Sequence, residues 1–329
     1  MRRGPFKIAG VAVTFSVGFV IALHVLPRLP LGPQTASRLL DIPPFEVPSD
    51  SFFVEAAGDD LSQMVLWHGL GDSIENARRA DILFVGDSRM PVGLREEIIV
   101  PAAAALGLRV FSLACGHVER VRFALELIRK HDLRPKIVVV VGGPHVFKDV
   151  WSAPAEQARK LTRWQAWTAW IEADARWRLQ SWLHSWLPKI DWFDRDLIAS
   201  WIMYRSTRTG WLLPVVEPSS SIPIGVAPDD PSYAWLLPLA RELKQELDRR
   251  GALLVLSVVP YHDTRTGHLP FLSHELGVPM VLPSFDGVLT ADGSHLSRSS
   301  AASYAEAFWS QFLALPEVRK KLSLEASRL

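Results

Sequence analysis

The chain has a single cysteine, Cys115, in 329 residues. No disulfide can form within it, and no cysteine-rich zinc site is available. Cys115 lies in an apolar stretch and reads as a small core residue. Neither charge sign is in excess, with 36 Lys and Arg against 35 Asp and Glu. Nothing in that balance suggests a phosphate-tracking nucleic-acid surface. Ten histidines are present, but none stands in His-x-x-x-His spacing or in a mixed His/Asp cluster apart from Asp292 and His295. No metal and no cofactor are therefore expected. Internal repeats are absent too. What remains is a chain long enough to bury a large core, as one big domain or two small ones.

Long apolar runs are scarce except at the N-terminus. Arg2, Arg3 and Lys7 precede an almost unbroken apolar run from Ile8 to Leu26, which Pro27 ends. As a helix this run spans roughly 28 Å, close to the hydrocarbon thickness of a bilayer. The basic flank stays cytoplasmic, so the rest of the chain is expected on the periplasmic side of the inner membrane. The run is longer than the apolar region of a signal peptide, and Leu23-His24-Val25-Leu26 offers no small-residue cleavage site. An uncleaved single-pass anchor over residues 1–27 is the expectation. Pro27, Pro30, Pro33, Pro43, Pro44 and Pro48 follow and make residues 28–72 an extended tether and lead-in.

Beyond the tether, short β-branched runs alternate with amphipathic segments. Strands are predicted at Asp81–Gly86, Leu108–Phe111, Ile137–Val141, Leu253–Val259 and Val278–Leu282. Helices are predicted over Leu94–Ala105 (interrupted by Pro101), His117–His131, Tyr233–Arg250 and Ser299–Leu313. Continuous apolar strands between helices indicate a mainly parallel five-stranded sheet covered on both faces, a three-layer α/β/α architecture. Residues 73–318 form this domain and 319–329 a tail. Residues 148–228 interrupt the alternation as an expected helical insertion, which holds ten of the thirteen tryptophans. Core packing, docking on a membrane or membrane partner, and stacking on glycan are three readings of that enrichment.

Two Gly-Asp-Ser tripeptides occur, Gly71-Asp72-Ser73 and Gly86-Asp87-Ser88. Only the second follows an apolar strand, so Ser88 is delivered at a strand's carboxyl edge, where ligands of such sheets bind. Ser73 reads as a helix N-cap. A serine attacking acyl groups needs an imidazole to take its proton and a carboxylate to orient that imidazole. Asp292 and His295, three residues apart near the C-terminus, supply both from a turn or a single helical turn, because an extended strand would face them oppositely. Gly116, Gly142 to His145, Tyr261 and His262 also fall at predicted strand ends.

This pattern resembles the SGNH (GDSL-type) hydrolase superfamily. Gly86-Asp87-Ser88 matches its first block, Gly116 the isolated glycine of its second, and Asp292 with His295 its last. The third block normally reads Gly-x-Asn-Asp; here Val141-Gly142-Gly143-Pro144-His145 keeps the glycine and lacks the asparagine. The resemblance covers roughly residues 79–145 and 250–315. It implies a flavodoxin-like sheet, Ser88, Asp292 and His295 as catalytic residues, and an oxyanion hole from the N–H groups of Ser88 and Gly116. His145 stands where the asparagine would be and has a ring N–H to offer as third donor; a capping or solvated histidine is the alternative. Arg89 either binds an anionic group of the substrate or faces water, and Tyr261 and His262 are candidates for the pocket lining.

The anchored form with an insertion is similar to accessory proteins of bacterial envelope-polysaccharide O-acetylation. The expected function is an extracytoplasmic serine esterase or O-acyltransferase acting on envelope carbohydrate, with an integral membrane acyltransferase as a possible partner. The competing reading is a non-catalytic accessory protein of the same fold that binds glycan or that membrane partner.

Overall fold

The computed structural model describes residues 51–55, 61–116, 119–173, 203–214, 222–228, 230 and 232–324. The expected anchor, most of the tether, the last residues of the tail and five of the insertion's tryptophans lie outside the described residues. No helix among the described residues is long and apolar enough to cross a membrane.

The order begins with β1 (Ser51–Glu55), α1 (Ser62–His68), α2 (Ser73–Arg78), β2 (Ile82–Gly86), α3 (Arg89–Gly93), α4 (Glu96–Ala105) and β3 (Val110–Ser112). It continues with α5 (Val121–Lys130), β4 (Ile137–Val141), α6 (Ala153–Lys160) and α7 (163–173). After the undescribed part of the insertion come β5 (Met203–Ser206), β6 (Leu212–Pro214), β7 (Ile222–Pro223) and β8 (Gly225–Val226). The chain then forms α8 (Leu237–Arg249), β9 (Leu253–Ser257), β10 (Asp263–Thr264), α9 (His268–Leu276), β11 (Met280–Val281), β12 (Leu289–Thr290), α10 (Arg298–Ala314) and α11 (Pro316–Leu322).

The protein is α/β, built on a five-stranded sheet ordered β11-β9-β4-β2-β3 with every pairing parallel. Successive side chains of a strand point to opposite faces, and here both faces are dry. Leu83, Val85, Val138, Val140, Leu254 and Leu256 pack under α5, α8 and α9 through Phe123, Leu127, Leu243 and Leu272. Ile82, Phe84, Ile137, Val139 and Val255 pack against α4, α10 and α11 through Ile99, Tyr304, Phe308 and Val318. Double-sided burial is why β2, β4 and β9 read as unbroken apolar runs rather than alternating ones.

Element ends depart from the sequence expectation for local reasons. The strand expected at Leu108–Phe111 forms at Val110–Ser112, because the close of α4 draws Leu108 N–H onto Ala103 C=O at 3.0 Å. Pro101 does not interrupt α4. It stands sixth of the ten residues of α4, inside the helix, and forfeits the bond to the Glu97 carbonyl. The last strand shrinks to Met280–Val281, and α5 starts at Val121 instead of His117. Ser73 is the first helical residue of α2 and not its cap; its Oγ is buried, with no partner among the described residues.

The insertion is not purely helical. After α6 and α7 it returns as the β5–β6 pair, which joins β1 in a small antiparallel sheet ordered β1-β5-β6. Its described tryptophans divide by location. Trp211 is fully buried, meets Phe84 edge-on at 5.5 Å and donates Nε1–H to Leu94 C=O at 2.6 Å. Helix α7 turns Ala166 and Ala173 inward with Trp170 beside them, while Trp164 (68% exposed) and Trp167 (39%) stack on each other outside at 4.9 Å.

This division sets an expected contrast in stability. Trp211→Ser should cost about 3–5 kcal/mol, as loss of a large core aromatic does. Trp164→Ser and Trp167→Ser should each stay within about 1 kcal/mol, as surface changes do. Urea unfolding of the three variants measures this; comparable losses at all three would mean that the outer pair is core.

Candidate active site

Gly86 closes β2 where the backbone of β4 comes nearest. A Cβ at Gly86 would lie 2.2 Å from the Val141 carbonyl oxygen, so only glycine lets the two strands stay together to their carboxyl ends. The chain then turns through buried Asp87 and enters α3 at Ser88, whose side chain is half-buried at the sheet's carboxyl edge.

The partner loop follows β12. Ala291 N–H donates to His295 C=O at 2.8 Å, and Thr290 bridges Leu296. Asp292 to His295 thus form the tip of a closed turn, with Gly293 at φ +82°. The Asp292 Oδ1 accepts from the N–H groups of Ser294 (2.8 Å) and His295 (2.6 Å). Its Oδ2 accepts from His295 Nδ1 at 2.8 Å. Partial burial opposes ionisation of Asp292, but the ring and backbone N–H groups outweigh it and hold the carboxyl below its ordinary range. An ionised Asp292 keeps the imidazole proton on Nδ1, which leaves a lone pair on Nε2. Ser88 Oγ lies 3.0 Å from that Nε2 and donates its hydroxyl proton to it. Ser88, His295 and Asp292, expected from sequence to act together, stand in one hydrogen-bonded line.

Gly116 ends the turn after β3, adjacent to the Ser88 segment because Cys115 N–H donates to Gly86 C=O at 3.3 Å. It is buried. Among the described residues, the N–H groups of Ser88 and Gly116 have no hydrogen-bond partner. Two unspent donors beside a serine are what a developing oxyanion requires.

A second carboxylate–imidazole pair adjoins the first. Asp87 Oδ2 accepts from His145 Nε2 at 2.8 Å and from Arg89 Nη1 at 3.3 Å, while its Oδ1 accepts from Arg89 N–H at 3.0 Å. Burial pushes Asp87 towards neutrality, yet His145 and Arg89 together overcome this and hold it below the ordinary aspartate range. A carboxylate accepts only, so His145 donates through Nε2 and, when neutral, has only a lone pair on Nδ1. The third-donor expectation for His145 therefore gives way to a different role: its ring N–H satisfies Asp87.

Arg89 is largely buried and tied to its neighbours. Its Nε donates to Ser294 Oγ at 3.2 Å, and its guanidinium lies 4.0 Å over the Tyr261 ring. Burial of Tyr261 pushes its phenol up, keeping it neutral. The His262 ring is turned outward, 3.4 Å from Pro223 C=O; its backbone braces the site loop, with N–H on Gly293 C=O at 2.9 Å. Sequence reasoning did not find Ser294 or the Asp87–His145 pair. Neither has a local signature beyond the Gly-Asp-Ser tripeptide itself. Among the described residues no cluster of three His, Cys, Asp or Glu side chains has the arrangement to hold a metal ion.

The chain matches no protein-family model, no curated protein and no solved structure.

Because the Asp87 carboxyl is held below its unfolded value, its contribution to stability is present above about pH 4 and lost as pH falls through the folded-state value. Asp87→Asn is expected to cost about 2 kcal/mol at pH 7. The gap from wild type should narrow steadily below about pH 4. Denaturant unfolding at pH 7 and pH 3 tests the sign; an equal gap at both would mean the carboxylate charge is not what Asp87 contributes.

Proposed function

We propose that this protein is an extracytoplasmic serine-dependent acyl-ester catalyst, acting on envelope carbohydrate through an acyl-serine intermediate. The observation that carries the proposal is the unbroken line from Ser88 Oγ through His295 to Asp292. His295 Nε2 takes the hydroxyl proton as Ser88 attacks the ester carbonyl, and Asp292 stabilises the imidazolium. The N–H groups of Ser88 and Gly116 receive the oxyanion. The protonated His295 then returns its proton to the departing alcohol. Water or a sugar hydroxyl, deprotonated by the same His295, releases the acyl group; the first outcome is hydrolysis, the second transfer.

The fold and motif order support an SGNH-like assignment: a parallel sheet with a glycine-ended strand carrying the serine, and Asp-x-x-His in a turn before the last long helix. The basic flank and apolar run of residues 1–27 support an inner-membrane anchor with the catalytic domain outside. An anchored enzyme is suited to receive acyl groups from an integral membrane acyltransferase, and this favours transfer over hydrolysis. The alternative, a non-catalytic accessory protein, draws support from the exposed Trp164–Trp167 pair, a surface fit for glycan or a membrane partner. It leaves the Ser88–His295–Asp292 line without a purpose.

Labelling with a fluorophosphonate should modify Ser88 alone, since Ser73 is buried. Ser88→Ala should abolish both labelling and turnover, a loss of several orders of magnitude. Incubation with an activated acetyl ester should leave one acetyl group on the Ser88 peptide by mass spectrometry, discharged by water or by added oligosaccharide. A wild-type chain that never acquires the acetyl group is not a serine acyl-enzyme.

A further inference from the structure

Arg205 lies in β5, inside the insertion, with nothing in its sequence surroundings to single it out. It is fully buried. Its Nη2 donates to Ser112 C=O at 2.7 Å and its Nη1 to Ala114 C=O at 2.8 Å, with Cys115 Sγ 3.7 Å from Nη1. Among the described residues no carboxylate pairs with it, and its Nε has no partner. A guanidinium taken out of water without a counter-charge is costly. Covering two strand-edge carbonyls does not by itself call for a charge, since neutral donors do the same.

The place where that charge is spent is specific. Ser112 ends β3, the edge strand of the main sheet, and residues 113–116 carry the chain to Gly116. On the inner side, Leu113 N–H donates to Phe84 C=O at 2.8 Å and Cys115 N–H to Gly86 C=O at 3.3 Å. On the outer side, Ser112 N–H donates to Thr209 C=O at 2.8 Å, and the two remaining carbonyls take the guanidinium fork. The β5–β6 turn fits closely here, because a Cβ at Gly210 (φ +73°) would lie 2.2 Å from the Ser112 carbonyl oxygen. The chain is clamped on both sides up to Cys115. Gly116 is the first residue whose N–H is unspent.

We infer that Arg205 is a positioning residue for the Gly116 oxyanion donor, and that the insertion belongs to the active site through it. This rests on the acyl-serine reading above. The rigid planar fork holds the last carbonyl of β3 and one two residues beyond it at once, and so sets where the next N–H points. Its unpaired positive charge also lies beside the loop where negative charge develops in the transition state.

The full-length chain with Arg205→Met or Arg205→Lys tests this, measuring kcat and KM on p-nitrophenyl acetate, the rate of Ser88 phosphonylation, and thermal melting. Arg205→Met should lower kcat and phosphonylation about 100-fold, with KM within about threefold, as loss of an oxyanion donor does. Arg205→Lys keeps the charge but has no fork, and should fall between. Should the methionine variant not fold, the lysine variant decides: a kcat about tenfold lower at unchanged KM supports the role. Folded variants with wild-type kcat, or with changes confined to KM or melting temperature, overturn the inference and leave Arg205 a cover for the sheet edge. A wild-type chain that neither labels at Ser88 nor turns over ester overturns the acyl-serine reading, and this inference with it.

Discussion

The carboxylate of Asp87 is buried at the carboxyl edge of the sheet, and a buried charge is tolerated only when its lone pairs are fully used. Satisfying it adds side-chain ties between segments that the sheet already brings close. His145 comes from the turn after β4, Arg89 from the start of α3, and through Arg89 the hydroxyl of Ser294 from the loop after β12. Tyr261, just beyond β9, covers the guanidinium. The ends of three adjacent strands and the loop carrying His295 are thereby held in one arrangement. Ser88 lies between Asp87 and Arg89 in sequence, so its position follows from theirs.

Two carboxylate–imidazole pairs consequently sit side by side with different duties. Asp292 is only partly buried, on a turn, and its second oxygen is spent on the backbone of that same turn. The imidazole it orients keeps a free nitrogen facing Ser88. Asp87 is buried, with Oδ1 on the Arg89 N–H two residues on and Oδ2 shared by the Arg89 guanidinium and the distant His145 ring. One pair leaves a ring nitrogen on the Ser88 hydroxyl, and the other joins the ends of two strands. The chemistry of the partners is the same; burial and what surrounds each carboxylate separate their roles.

The sheet also handles its two edges differently. An open edge presents unpaired backbone groups that invite association with other chains. At one side β11 is only two residues long. At the other, β3 is covered by the turn between β5 and β6, with backbone and guanidinium donors meeting its free groups. The insertion is therefore continuous with the main domain over the described residues. Trp211 fixes that connection by burying its indole against Phe84 of β2.

Residue order alone determined the five-stranded parallel sheet and the identity of the serine, aspartate and histidine that meet at its edge. Strands β2, β4 and β9 are buried on both faces, and such burial selects uninterrupted apolar runs that are legible in a linear reading. The Asp-x-x-His spacing likewise encodes its own turn, because the carboxylate bonds the N–H groups two and three residues on. The tertiary structure alone decided that His145 serves Asp87, that Arg89 reaches Ser294, and that an arginine of the insertion grips the chain before Gly116. These contacts join residues 58, 205 and 91 positions apart. Periodicity and propensity act over a few residues, whereas pairings at such separations are selected by which buried donor finds which buried acceptor once the sheet has closed.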